Sequence, residues 1–208
     1  MAATNPLGRL LTLHLTKWLK ARGFSRHGYS FVKRHNGNRL LVHFQVWKER
    51  STAAEIIFTV NLGVLSKRLS WLTDNRDPPK VPAIGECHWR ERLGVLLPAR
   101  RDYWWSVDET RIAGLAAELE DALGSFGLPA MERVASDDSL RNLWLSGSSP
   151  GLTSFERLRY LSLLLVEIGP RSELDRVLGE LRSQSRGMPW EQTAEQHIRR
   201  IDSMKATN

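Results

Sequence analysis

Arg39-Leu40-Leu41-Val42-His43-Phe44-Gln45-Val46-Trp47-Lys48 and Glu55-Ile56-Ile57-Phe58-Thr59-Val60-Asn61-Leu62-Gly63-Val64-Leu65 are the two stretches that decide the fold class. A polar connector containing Ser51 and Thr52 separates them. Leu40, Val42, Phe44 and Val46 fall on one face of the first run, and Ile56, Phe58, Val60, Leu62 and Val64 on one face of the second. That alternation is the period-two signature of half-buried strands. Upstream, residues 29–34 form a third strand-like run, joined to the first by His35-Asn36-Gly37-Asn38. An Asn-Gly pair between alternating runs is the strongest short hairpin signal. The expectation is an antiparallel meander whose apolar face needs a cover.

The residues before the meander offer one. Asn5-Pro6 reads as an N-cap followed by proline at the first helical position. Leu7, Leu11, Leu15 and Trp18 then recur at helical spacing, widened by Leu10 and Leu19, and Gly23 is placed to end the helix in the left-handed conformation. After the third strand, residues 66–82 read as a loop, with Pro78, Pro79 and Pro82 removing backbone donors and Trp71 and Leu72 pinning part of it to the body. Residues 87–97 and 103–107 supply one or two further strands. Asp108 reads as the N-cap of a helix bearing Ile112, Leu115, Ala116, Leu119 and Leu123, closed by Gly127 before Pro129. The remainder reads as helical, with a Thr153–Glu156 capping box opening the longest stripe. The fold expected is α+β: an antiparallel sheet on an N-terminal helix over residues 1–127, then an all-helical extension over 128–208 with a linker near 147–151.

Composition narrows the function classes. The chain has 208 residues, 41% of them apolar, with 30 Lys+Arg against 23 Asp+Glu. Residues 1–107 carry 18 basic and 7 acidic side chains (net +11), and residues 108–208 carry 12 and 16 (net −4). A basic half joined to an acidic one suggests a polyanionic or acidic partner; an Arg-rich solvated surface is the plainer account. The single cysteine excludes an intramolecular disulfide and any multi-cysteine metal site. With no membrane-length apolar run and no signal-peptide pattern, a cytoplasmic location is expected.

Motifs of catalysis are scarce. No glycine-rich phosphate loop and no Gly-x-Ser-x-Gly elbow occurs, and the six histidines form no pair at metal-ligand spacing. No catalytic residue, metal or cofactor is therefore expected. Cys87-His88 invites a thiolate–imidazole reading, but neighbours on a strand point to opposite faces, which favours a buried cysteine beside a partly exposed histidine.

The unusual residues lie opposite the apolar strand faces. His43, Gln45 and Trp47 on one strand and Thr59 and Asn61 on the next share that face, and the histidine, glutamine and asparagine among them are not there for strand propensity. With His88 they make a candidate patch for hydrogen-bonding a ligand or a partner's backbone. They serve equally well to satisfy the proline-rich loop and residues 87–92 passing over the sheet. Lys33, Arg34, Arg39, Lys48, Arg50, Arg90 and Arg92, with Trp104 and Trp105, are the candidate basic and aromatic contacts. Such mixtures occur in single-strand binders and in interface hot spots alike.

Gly23-Phe24-Ser25-Arg26-His27-Gly28-Tyr29-Ser30-Phe31, Gln45, Phe58-Thr59-Val60-Asn61-Leu62-Gly63-Val64, Cys87-His88-Trp89-Arg90-Glu91-Arg92-Leu93-Gly94 and Trp104-Trp105 together resemble a bacterial family of domains of unknown function, the one numbered four-three-zero-four. The resemblance spans roughly residues 5–127 and supports the fold more than an activity, since it implies no catalytic residues. The functional expectation is a non-enzymatic module binding a protein with an acidic surface, in one form an immunity-like protein masking a toxin. Nucleic-acid binding by the basic, tryptophan-rich half is the alternative.

Overall fold

A computed structural model describes residues 5–207. Helix α1 covers residues 6–20 as Pro6–Leu10, a π-helical turn Leu11–Leu15, and Thr16–Lys20. Asn5 caps it, its side chain accepting from the Gly8 N–H at 2.8 Å. Gly23 follows at φ +87°, the left-handed conformation expected of it. The sheet is then built from β1 (Ser25–His27), β2 (Ser30–His35), β3 (Asn38–Val46) and β4 (Ile56–Leu65) in antiparallel order. Asn36 and Gly37 turn the β2–β3 hairpin with φ of 48° and 91°, a mirror-image turn that matches strand twist. Strand β1 escapes the alternation rule because Ser25-Arg26-His27 carries no apolar residue.

The expected loop over 66–82 contains a helix, α2 (Lys67–Asp74). The Ser66 hydroxyl accepts from the Leu69 N–H at 3.0 Å and caps it, so only the residues from Pro78 onward obey the proline-rich reading. Leu69 and Leu72, three apart, face inward together. Trp71 turns outward and is 54% exposed, so it does not pin the segment. Residues 87–97 form a strand only in part. β5 (Trp89–Arg92) gives way to one helical turn, α3 (Leu93–Leu96). β5 and the short β6 (Trp105–Val107) pair with different halves of the same β4 edge, giving an α+β fold with six antiparallel strands.

Two helix boundaries differ from expectation. Asp108 does not cap the next helix directly; its carboxylate accepts from the Thr110 and Arg111 N–H groups in a turn, and helix begins at Ile112. Helix α4 then runs over residues 112–133 without stopping at Gly127 or Pro129. A π-helical turn, Leu123–Gly127, carries it into Leu128–Arg133. Widening the turn removes the regular i−4 pairing that proline would otherwise break. Helices α5 (Asp137–Leu145), α6 (Ser154–Ile168), α7 (Arg171–Ser185) and α8 (Glu191–Thr207) complete the all-helical C-terminal region. The Thr153–Glu156 capping box opens α6 as expected. Among the described residues no helix is long and apolar enough to cross a membrane.

One apolar core joins these parts. Phe31, Phe44, Phe58 and Trp105 form an aromatic row across β2, β3, β4 and β6, with ring centroids 5.9–6.1 Å apart. Leu7, Leu11 and Leu15 of α1 and Leu115, Leu119 and Leu123 of α4 belong to the same buried cluster, as do Leu161 and Leu178 further on. Each such side chain contributes about 1.5–3 kcal/mol on burial. Buried polar groups tie sheet to helices. Asn38 donates to the Ala135 carbonyl at 2.9 Å and accepts from the Lys67 N–H at 2.8 Å, while Asp137 accepts from Ser66 at 2.7 Å. Arg157 donates to the Trp144 carbonyl and pairs with Glu180, both at 2.9 Å.

Candidate functional site

The register decides what the outer sheet face can do. His43 lies opposite Asn61 and Gln45 opposite Thr59, while Ser30 and Arg92 extend the first of these rows on either side. Four of the residues expected to form a patch, His43, Gln45, Thr59 and Asn61, are therefore neighbours, while Trp47 lies just past the end of β3. Asn61 donates to the Gln45 side-chain oxygen at 2.8 Å, Thr59 donates to the Tyr103 carbonyl at 2.9 Å, and His43 Nδ1 meets Ser30 Oγ at 2.9 Å. Only Thr59 serves a passing backbone, and the segment it serves is 97–104 rather than the proline-rich loop. Burial lowers the pKa of His43 from its ordinary value.

The middle of this face is plugged. Val32, Leu41, Leu65 and Cys87 form a second small apolar cluster, with Val81 and Ile84 packed on it. A Cβ on Gly63 would sit 2.5 Å from Cys87 Sγ, so the loop rests directly on the strand there. The plug divides the face into two ends. At one end Trp47 and Trp104 lie 4.8 Å apart, with the Arg50 guanidinium 4.9 Å over Trp47 and that of Arg92 5.3 Å over Trp104. Gln45, Val46, Lys48 and Glu49 complete the lining of a cleft of about 330 Å³ between them. At the other end Arg34, Arg39, His27 and Lys80 line a second cleft.

Several expected site residues are employed elsewhere. His88 is 4% exposed instead of partly exposed, because its Nδ1 accepts from the Ser66 N–H at 3.0 Å and its ring packs edge-on against Tyr160. Its own N–H pairs with the Val64 carbonyl, three residues along β4 from Asn61 and so about 10 Å away along the strand. It is no part of the His43–Asn61 patch. Burial brings its pKa down to about 3. Trp105 is a core residue whose indole N–H donates to Glu118 at 2.7 Å. Arg90 holds the turn at 147–151 against β5, donating to the Gly151 carbonyl at 3.0 Å and to that of Gly85 at 2.9 Å. Arg92 is ion-paired with Asp102, and Lys33 with Glu132 at 3.8 Å. Cys87 is buried and its thiol pushed up to about 12, which leaves it unreactive at neutral pH.

Among the described residues no group of three or more His, Cys, Asp or Glu side chains is placed to hold a metal ion. Ser30 and His43 make a serine–imidazole contact, but no carboxylate among the described residues hydrogen-bonds that ring to orient it. What the face offers is hydrogen-bonding amides, paired indoles and guanidinium groups. Ser30, His27 and Lys80 are the contributors that sequence reading missed; Ser30 and the Arg34–Arg39 pairing both follow from counting back across the Asn36-Gly37 turn.

Comparison with curated proteins and with solved structures yields no match to this chain. A family model described as "Domain of unknown function (DUF4304)" matches residues 15–133. That stretch begins within α1, contains the whole sheet and both ends of its outer face, and runs to the end of α4. A match over more than half of the chain makes the assignment: the protein belongs to the DUF4304 family.

Proposed function

We propose that this chain is a non-enzymatic binding module whose partner is another protein, engaged at the Trp47–Trp104 end of the outer sheet face. One observation carries the reading. Two partly buried indoles, each with an arginine guanidinium over its ring, border a cleft with an amide side chain in its wall. Tryptophan and arginine are enriched among the few residues that carry most of the binding energy in protein interfaces, because they present large surface and directional donors. Lys48 and Arg50 at the rim have no ion-pair partner among the described residues, so the surface complements an acidic partner. Masking of a toxin by an immunity-like protein is one form this binding takes.

Nucleic-acid binding stands second. Of the seven basic side chains expected at phosphates, Lys33, Arg90 and Arg92 are already paired with Glu132, Glu156 and Asp102. The Trp47 and Trp104 rings also pack on each other instead of standing free for bases. The test is affinity capture by the tagged full chain from cell lysate, with and without nuclease, beside Trp47→Ala and Trp104→Ala variants checked for folding by circular dichroism. A protein retained after nuclease and lost with either variant supports the proposal. Capture that vanishes with nuclease, or that ignores both variants, refutes it.

A further inference from the structure

We infer that the opposite end of the outer sheet face is a binding site for a small phosphate-bearing ligand. Arg34 and Arg39 are direct partners across the β2–β3 hairpin. Like charges directly opposed on a sheet are destabilising, and an ordinary solvated pair has no reason to keep them. Here both line one cleft of about 420 Å³ with His27 and Lys80, and Gly23, Ser25 and Val32 complete its wall. Among the described residues no acidic side chain lines it.

The positive charge is only partly compensated nearby. Among the described residues neither Arg34 nor Lys80 has an ion-pair partner. Arg39 donates from one terminal nitrogen to the Gly37 and Asn38 carbonyls at 2.9 and 3.4 Å, while its Nε is buried with no hydrogen-bond partner. A buried donor left unmade is costly. Asp77, whose charge reaches Arg39, is itself engaged by Lys67 at 3.2 Å. An anionic ligand in the cleft would offset the repulsion among Arg34, Arg39 and Lys80.

Chemistry and size narrow its class. Guanidinium forks match the oxygens of phosphate, and a phosphate monoester brings close to two negative charges at pH 7 where a carboxylate brings one. A cleft of a few hundred cubic ångströms suits a small molecule. Ser25 and His27 of β1 and Lys80 of the loop line it together with the two arginines, and a cleft bounded by separate segments favours a compact ligand over a polymer tracking the surface. The site is independent of the protein-binding end. Arg39 and Gln45 are six residues apart on β3, about 20 Å, with the Val81–Ile84–Cys87 plug between.

Isothermal titration calorimetry of the full chain with inorganic pyrophosphate and with adenosine monophosphate, using adenosine as the uncharged control, tests this. Both phosphates are expected to bind saturably and more weakly as salt rises, and adenosine not at all. Arg34→Gln, Arg39→Gln and Lys80→Gln should each weaken binding about tenfold. Lys80 lies outside the hairpin, so its variant reads the site even where a hairpin substitution disturbs folding. Absence of saturable binding by either phosphate up to millimolar concentration, or equal binding by the Lys80→Gln variant, overturns the inference. So does binding of a single-stranded oligonucleotide without binding of pyrophosphate or adenosine monophosphate.

Discussion

Gly63→Ala should destabilise the protein although it adds only a methyl group to a strand. Replacing glycine by alanine in an extended segment ordinarily gains about 0.5–1 kcal/mol, because the unfolded chain loses freedom. Gly63 has no positive φ to forbid a side chain, so the backbone itself raises no objection. The objection comes from above. The added Cβ would lie 2.5 Å from Cys87 Sγ, 2.9 Å from Cys87 Cβ and 3.0 Å from Ile84 Cδ1, against the 3.5–4.0 Å at which carbon contacts become favourable. The plug must rise by about 1 Å, and overpacking of this kind costs about 1–3 kcal/mol. The net expectation is a loss of about 1–2 kcal/mol, read as a lower urea midpoint at unchanged slope. Cys87→Gly removes the two nearest of these atoms, so the cost of Gly63→Ala should shrink in that background. A Gly63→Ala protein as stable as the wild type, or a cost that Cys87→Gly leaves unaltered, would refute the account of the plug.

Asn38→Ala should cost about 2–3 kcal/mol in urea unfolding, since it strands the buried Ala135 carbonyl and Lys67 N–H. Asn38→Asp should be no better, because it sets a carboxylate beside Asp137; recovery of wild-type stability would count against the bonds described. The pH response has a defined sign. Burial holds His88 at about 3 and His197 at about 4, below the ordinary 6.5. The unfolded chain therefore binds more protons, so this part of the stability is complete above pH 6.5 and is lost as pH falls towards those values. The loss is up to about 1.4 kcal/mol per pH unit for each ring. Urea midpoints at pH 7 and pH 5 measure it. His88→Asn, which retains an acceptor for the Ser66 N–H, should lessen the difference, and an unaltered difference would remove His88 from the explanation.

The sheet was legible because its signals are local. Alternation assigned the inward faces of β3 and β4, and a two-residue Asn-Gly turn sets the register of β2 against β3 with no further information. From that register Ser30 against His43, and Arg34 against Arg39, are arithmetic. The errors fall where tertiary contact overrides a local rule. Gly127 and Pro129 read as a helix stop, but a π turn absorbs them; the three proline residues coloured the whole of 66–82 and hid the Ser66 cap. His88 could not be placed from sequence, since its burial depends on Tyr160, which lies on α6 far along the chain. Basic residues were legible as charges and not as roles. Arg90 braces a turn, Arg34 stands unpaired, and nothing in their local sequence separates the two.

Asn38 has a bearing on how this family can vary. It lies inside the stretch that the family model matches, yet its amide reaches the carbonyl of Ala135 and the carboxylate of Asp137, both beyond residue 133. The hairpin and the start of the C-terminal helices therefore cannot drift separately. A relative whose tail follows another path leaves that amide without its acceptor, and must replace the asparagine or find it a new one. Position 38 is thus a marker: across an aligned family, the residue found there should change together with the residues that follow α4.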